Sequence, residues 1–479
     1  MRTRDSKPAA DVAIIGGGFS GALCALHMSA AQPDLRISII ERGPRLGPGL
    51  AYGACAPEHL LNVPVNRLGM GLEPSFESWV REHADPAVLT QALEESGGKL
   101  GDAFVPRLLF GDYVEDLVKR LLARGQVRWL RGDAVAFLDG HKRGVLLADG
   151  RAVEARSVIL ALGNQTPSPP DGSLSELQNL PEYIGDPWSP TATAAVAADD
   201  PVTIIGAGLT MIDVVLMLRG QGHRGKITAF SRRGLLPRVH AFGGQWPPFP
   251  ERLVRTSPAT MTRNVRREVE HAIVQGVPWQ RVIDAIRPAI ADIWANWNMA
   301  ERQRFLRHLR PYWDIFRHRM PRRVADAIEA LRASGDLEIV AGRLRGYSHV
   351  DDGVELRISR ARGDDDTLNT RHIINCTGPR TDFSVLSSPI ILDARRKRLI
   401  KADEFGLGIE TDACAVIDEN GAMSDWLYAI GPLTRPAWWE ITAAPEINAQ
   451  IGRLAASFAP PGAVRAPAAG SIHDFGWEI

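Results

Sequence analysis

Three glycines and one acid carry the first chemical signal in the chain. Gly16, Gly18 and Gly21 stand in the spacing G-x-G-x-x-G, and Glu41 follows 20 residues after the last of them. Gly16 permits a sharp turn out of a strand, and Gly18 permits close approach of the backbone to a pyrophosphate. Gly21 lets a helix pack tightly on that strand, and the helix start presents unpaired N–H groups to the phosphates. A carboxylate at the distance of Glu41 accepts hydrogen bonds from a ribose diol and repels a 2′-phosphate. Together these residues predict a site for FAD or NAD. At an offset of 190 residues the pattern returns as Gly206, Gly208 and Met211, and Glu41 is replaced by Ser231-Arg232-Arg233. A hydroxyl and two guanidinium groups suit the 2′-phosphate of NADP. The competing reading of Arg232 and Arg233 is an ordinary solvated turn. Met211 in place of the third glycine predicts a wider helix–strand contact.

These residues need particular elements to hold them. Val12 to Ile15 is an apolar run suited to a buried parallel strand, Ala22 to Ala31 is helix-forming, and Leu35 to Ile40 is a second strand. The repeat supplies Val202 to Ile205, the helix Ile212 to Leu218, and Ile227 to Phe230. Each half closes on an apolar strand ending in glycine: Ser157 to Gly163 in the first, Ile373 to Gly378 in the second. Helical spacing recurs at Phe76 to His83 and Leu108 to Ala123, with strands at Val127 to Leu130, Ala134 to Leu138 and Val145 to Leu147. The segments RGPRLGPGLAYG and HLLNVPVNRLG read as loops, and Pro167 to Ser173 as a linker. The fold class is therefore α/β, with two Rossmann-like dinucleotide-binding domains and a helical insertion. Residues 1–170 form the N-terminal part of the FAD-binding domain. Residues 195–384 form the NAD(P)H-binding domain, with the insertion at about 257–335, and residues 385–479 return to the first domain. Within that last part Trp426 to Ile430 is a strand, and Thr442 and Pro445 mark a helix start. The tail after Pro460, ending in DFGWEI, is expected to dock or fray.

Whole-chain properties exclude several classes. A chain of 479 residues suggests about two to four domains. Lys+Arg and Asp+Glu are both 56, so no global field points to nucleic acid or an anionic membrane. Hydrophobic content of 45% is ordinary for a globular protein, and no apolar run reaches the ~18 residues of a membrane span. The opening MRTRDSKPAA has no signal-peptide pattern. The four cysteines, Cys24, Cys55, Cys376 and Cys414, show neither CxxC nor zinc spacing. A cytoplasmic protein without a metal site is expected.

Taken in order, these motifs resemble the two-dinucleotide-binding flavoproteins, which include flavin monooxygenases and pyridine nucleotide–disulfide reductases. The chain is more closely similar to a bacterial FAD/NAD(P)-binding family marked by GGGFSG, GPGLAYG, HLLNVPVNRLG, GAGLTMID, RHLRPYWDIFRHR and WEITAAPEI. That resemblance spans nearly the whole chain. It implies FAD on Gly16, Gly18, Gly21 and Glu41, and NADPH, with NADH the alternative, on the second motif. It places Gly163 and Gly378 at crossovers near the cofactors. It brings Gly431 and the helix start at Thr442 to Glu446 back over the flavin, where a helix N-terminus would stabilise negative charge on the reduced ring. Many related flavoproteins have Gly-Asp where this chain has Gly431-Pro432, so the carboxylate expected at the ribityl chain is missing.

The fate of the electrons follows by comparison of classes. Disulfide reduction requires paired cysteines beside the flavin, and no second cysteine lies near Cys55. The fingerprint of ketone-oxygenating flavoproteins is absent. An external acceptor remains, either O2 or a small organic molecule; with O2 as acceptor, oxygen would be delivered to a bound small-molecule substrate. The resemblance to a flavoprotein urate hydroxylase makes urate, and hence purine metabolism, the candidate. A flavin oxidoreductase without oxygen insertion, an amine N-hydroxylase, and a non-enzymatic redox sensor or scaffold are the alternatives. Polar groups that could orient a substrate are Asn62, Asn66, Arg238, His240, and the run Arg307, His308, Arg310, Trp313, Arg317 and His318. That run also fits an amphipathic helix with snorkelling arginines. No residue is singled out as catalytic.

Overall fold

The computed structural model describes residues 10–458 except 171, 361, 362 and 364; the C-terminal DFGWEI lies outside the described residues. The chain divides into two compact units. The first comprises the described parts of Met1–Gly53, Val63–Asn164 and Thr381–Ile479, and the second comprises Ala54–Asn62 and Gln165–Arg380. The short segment Ala54–Asn62 thus belongs to the second unit although its neighbours in sequence belong to the first. His59 explains this locally: its Nε2–H donates to the Asp213 carbonyl at 2.9 Å, and the ring is fully buried.

In the first unit, strands β1 (Ala10–Ile15), β2 (Ile37–Glu41), β3 (Val127–Arg131), β4 (Ala134–Phe137), β5 (Gly144–Leu147) and β6 (Ala152–Leu160) are joined late in the chain by three more. β1 lies between β2 and β6, all parallel, with Ile14 opposite both Ile39 and Ile159. Nearly every residue of β1 is buried, as expected where both faces of a parallel sheet are covered. β6 serves two layers: its first residues pair antiparallel with β5, and the remainder runs parallel to β1.

The second unit repeats this plan with β7 (Tyr183–Ile184), β8 (Val202–Ile205), β9 (Ile227–Ser231), β10 (Leu337–Val350), β11 (Gly353–Arg360), β12 (Asp366–Thr370) and β13 (His372–Asn375). β8 lies between β9 and β13, again parallel. β10 follows β9 in parallel as far as Ala341 and then pairs antiparallel with β11. The insertion is helical, with Pro258–Val274, Trp279–Ile286, Ile290–Asn296, Arg310–Arg317 and Arg322–Ala333 as its main α-helices.

The chain then returns to the first unit. β14 (Thr411–Asp412), β15 (Ala415–Ile417) and β16 (Met423–Ala429) extend the first sheet, with Tyr428 opposite Ile159. The closing helix Ala444–Phe458 packs on the first helix, Phe19–Ala31, where a 2.7 Å hydrogen bond joins His27 to Asn448. Within the stretch expected as loop, Gly49–Gly53 forms a short helical turn.

Candidate functional site

The first unit leaves a crevice at the turn from β1 into the first helix, where glycines stand in place of side chains. Gly16 has φ +100°, and a Cβ there would stand 2.4 Å from the Ala161 carbonyl oxygen. A Cβ on Gly21 would stand 1.9 Å from the Gly16 carbonyl oxygen, so helix and strand touch through glycine. Gly18 is the extended residue preceding the helix, and no side chain caps that helix start. Its first-turn amides are therefore available to an anion.

Glu41 closes the crevice at the end of β2. Its Oε2 accepts the Gly17 amide at 2.7 Å and its Oε1 accepts the Gly43 amide at 2.6 Å. Each carboxylate oxygen keeps a second acceptor site, so the group is held in place while still able to take ribose hydroxyls. Gly163, at φ +63°, has no atom within 4 Å of where a Cβ would stand. Gly431, at φ +73°, lies against the first helix, with a notional Cβ 2.7 Å from Ser20 Oγ. Its amide donates to Gln450 Oε1 at 2.8 Å, and its carbonyl accepts Thr434 Oγ1 at 2.9 Å. Gln450 Nε2 completes the ring by donating to Thr434 Oγ1 at 2.7 Å. Sequence reasoning reached Gly431 but missed Gln450 and Thr434. A glutamine on the buried face of the apolar run INAQIGRLAASF was the available signal. The closing helix begins at Ala444, so Thr442 stands two residues ahead of it in an exposed turn whose amide donates to the Glu440 carbonyl. Pro445 occupies the first turn of the helix, where a missing N–H costs nothing.

The second unit has the same crevice. Gly206 has φ +116°, and a Cβ there would stand 2.4 Å from the Cys376 carbonyl oxygen. Gly208 precedes the helix Leu209–Gly220 in extended conformation, again without a side-chain cap. Met211 is wholly buried, so the helix accommodates a side chain at the position where Gly21 leaves no room for one. Gly378, at φ +94°, has open space beside it, as Gly163 does. Asn375 steadies the adjoining loop: its Oδ1 accepts the Thr377 amide and hydroxyl, and its Nδ2 donates to the Ser168 carbonyl and the Tyr183 hydroxyl. At the end of β9, Ser231 Oγ accepts the Gly234 amide at 3.0 Å. Arg233 lies 5.7 Å from the ring centroid of Tyr312. Burial, together with the neighbouring guanidinium groups of Arg233, Arg343 and Arg310, pushes Arg232 below the ordinary arginine value.

The polar groups offered for a substrate divide between the units. Asn62, Arg238, His240 and the helix Arg310–Arg317 come together in the second unit. His240 Nε2–H donates to the Asn62 carbonyl at 2.9 Å, the Arg238 amide donates to the Ile315 carbonyl at 2.9 Å, and the Arg238 guanidinium sits over Phe316. Burial, reinforced by the Arg319 guanidinium, pushes His240 down to about 3. Arg319 is itself buried against Asp284, which also takes Arg281 at 2.9 Å. Arg307 and His308 fall in a π-turn, Phe305–Leu309, which leads into the Arg310–Arg317 helix. Asn66 lies in the first unit, bound to Asp102 at 3.0 Å. Among the described residues no group of three or more His, Cys, Asp or Glu side chains could hold a metal ion. No helix among them is long and apolar enough to cross a membrane.

Comparison with known proteins agrees with this geometry. Residues 13–165 match the sequence model of a family described as FAD-NAD(P)-binding. An uncharacterized protein of Mycobacterium tuberculosis is 23% identical over an alignment that takes in 95% of this chain and 96% of its own. Among solved structures, L-lysine 6-monooxygenase from Pseudomonas syringae superposes with a TM-score of 0.63 at 16% identity, covering 94% of this chain and 98% of the enzyme. The FAD-bound cadaverine monooxygenase of desferrioxamine biosynthesis from Erwinia amylovora gives 0.63 at 14% identity, covering 95% and 96%. Residues 13–165 thus resemble a FAD-NAD(P)-binding family in sequence, and the chain as a whole shares its fold with these two solved structures.

Proposed function

We propose that the chain is a FAD-dependent monooxygenase that takes electrons from NADPH and delivers oxygen to a small polar substrate. The observation that carries this reading is the contrast between two otherwise matching crevices. One ends in Glu41, pinned by two amides; the other ends in Ser231-Arg232-Arg233, with more arginines around it. An acid that excludes a 2′-phosphate and an arginine group that welcomes one give the two sites different ligands. FAD belongs with Gly16, Gly18, Gly21, Glu41, Gly163 and Gly431, and NADPH with Gly206, Gly208, Ser231, Arg232, Arg233 and Gly378. Both crevices fit a pyrophosphate, because side chains are excluded from the turn and helix amides are uncapped. Held by these residues, the two cofactors would supply hydride transfer and oxygen-activating chemistry. The chain's own contribution is to fix phosphates and ribose.

We place primary-amine N-hydroxylation ahead of urate hydroxylation as the substrate reading. The solved structures of like fold are named for oxidation of lysine and cadaverine, whereas urate rests on the resemblance of sequence motifs. The test is oxidation of NADPH by the FAD-loaded protein in air, with lysine, ornithine, cadaverine and urate in turn, while peroxide and product are both measured. Faster NADPH loss with hydroxylamine product and little peroxide supports N-hydroxylation. Consumption of urate without peroxide would move the reading to urate. Anaerobic dye reduction with no substrate-dependent oxygen uptake would leave only electron transfer.

A further inference from the structure

The strand register and the helical insertion bring four arginines of the second unit to one place. Ser231 at the end of β9 is opposite Ala341 of β10 in parallel register. Arg232-Arg233 therefore leave β9 beside Gly342-Arg343, which continue along β10 in register with β11. The chain turns back at Gly234, where a Cβ would stand 3.2 Å from Ala341. On the other flank Arg233 lies over Tyr312, which is 45% exposed and belongs to the helix Arg310–Arg317 of the insertion. Arg233, Arg343 and Arg310 all act electrostatically on Arg232.

Of these four arginines, Arg310 has a carboxylate partner in Asp314. Among the described residues no ion pair joins Arg232, Arg233 or Arg343 to an acid. Glu338 on β10 is paired with Lys226 at 2.8 Å, and Asp314 stands 3.5 Å from Arg310. Arg345, two residues along β10, is bound to Ser359 Oγ, whereas Arg343 is exposed at the strand surface. Arg232, Arg233 and Arg343, gathered without a carboxylate partner among the described residues, repel one another. A dianion that accepts two or more guanidinium forks reverses that cost.

We propose that Arg343 of β10 and Arg310 of the insertion complete, with Arg232 and Arg233, a site for a doubly charged phosphate monoester, the 2′-phosphate of NADPH. Two segments outside the dinucleotide motif then set cofactor choice, and the insertion is part of the cofactor site. This rests on the reading that the second unit takes NADPH. Guanidinium groups recognise the phosphate bidentately, and Tyr312 limits the orientations open to Arg233.

The test uses the FAD-loaded protein and measures the affinity of adenosine 2′,5′-bisphosphate and of 5′-AMP by calorimetry, together with the NADPH-to-NADH ratio of kcat/KM. Arg343→Gln and Arg310→Gln are compared with Arg232→Ala/Arg233→Ala and with Arg345→Gln. The expected result is that Arg343→Gln weakens the bisphosphate about 10-fold and leaves 5′-AMP unchanged, the scale of a hydrogen bond to a charged group. Arg310→Gln should act in the same direction, and Arg345→Gln should do nothing. Full bisphosphate preference in both single variants, with loss in Arg232→Ala/Arg233→Ala, would overturn this inference while leaving the NADPH reading intact. Equal affinity of the unaltered protein for the two nucleotides would remove the NADPH reading and this inference together.

Discussion

On the proposed reading Glu41 has two jobs for one carboxylate, bracing the turn and holding a ribose, and a single-atom substitution tests both. Its two oxygens hold the amides of Gly17 and Gly43 and so brace the turn from β1 into the first helix. In Glu41→Gln one oxygen becomes an NH2 group and one amide loses its acceptor. Hydrogen bonds to charged groups are worth ~1.5–3 kcal/mol; for a half-buried acid, about 1–2 kcal/mol of stability should be lost. FAD occupancy should also fall, read as the ratio of flavin to protein absorbance. A Glu41→Gln protein that is as stable as the parent and fully yellow would remove both roles. His240 offers a test by pH. Its folded-state value, about 3, lies below the ordinary 6.5 because the ring is buried, so on acidification the unfolded chain takes up the proton first. Stability owed to neutral His240 is present above about pH 6.5 and is lost as pH falls toward 3. His240→Gln, which can still donate to the Asn62 carbonyl, should lose less stability than the parent between pH 7 and pH 4 in denaturant titrations. Parallel pH slopes in the two proteins would mean that His240 does not carry the proton.

The element that matters most is the strand–glycine–helix turn, and it occurs twice with one geometry. At Gly16 and at Gly206 a Cβ would stand 2.4 Å from the carbonyl of the neighbouring strand end, Ala161 or Cys376, and both glycines have positive φ. Gly206→Ala therefore meets both a clash and left-handed strain of about 1–3 kcal/mol. It should abolish flavin reduction by NADPH while leaving bound FAD in place, as seen by anaerobic stopped-flow absorbance; normal reduction would show that the second turn is not the nicotinamide site. These turns were legible in sequence because each of their requirements is local: an apolar strand, glycine at set positions, then a helix. β10 to β12 were not read from the sequence. LEIVAGRLRGYSHV mixes arginine and glycine with apolar residues as loops do, and its register is fixed by pairing with β9 and β11. The two- and three-residue strands β14 and β15 carry too few side chains to show any period. The Gly431–Gln450–Thr434 ring likewise joins a turn to a helix 19 positions away, and only tertiary packing creates it.

At the scale of the molecule the chain crosses between its two units four times, at 53/54, 62/63, 164/165 and 380/381. Each unit nevertheless has its own sheet and its own crevice. This makes ligand protection separable. A ligand that binds only the folded state stabilises by RT ln(1 + [L]/Kd), about 2.7 kcal/mol at a concentration of 100 Kd. Amide exchange slows where that energy must be given up to open the backbone. In hydrogen-exchange mass spectrometry, FAD should protect residues 10–41, 157–163 and 431–434. NADP+ added to the FAD-loaded protein should protect residues 202–211, 231–234, 342–343 and 375–378. Protection at 342–343 is the sharpest part, because these residues stand more than 100 positions beyond the second glycine motif and reach it only through the β9–β10 register. The same experiment with NAD+ should spare 231–234 and 342–343 while still slowing 206–211, since the pyrophosphate contacts remain when the 2′-phosphate is gone. If NADP+ instead protected 10–41 and left 202–211 unchanged, the assignment of the two cofactors to the two units would be wrong.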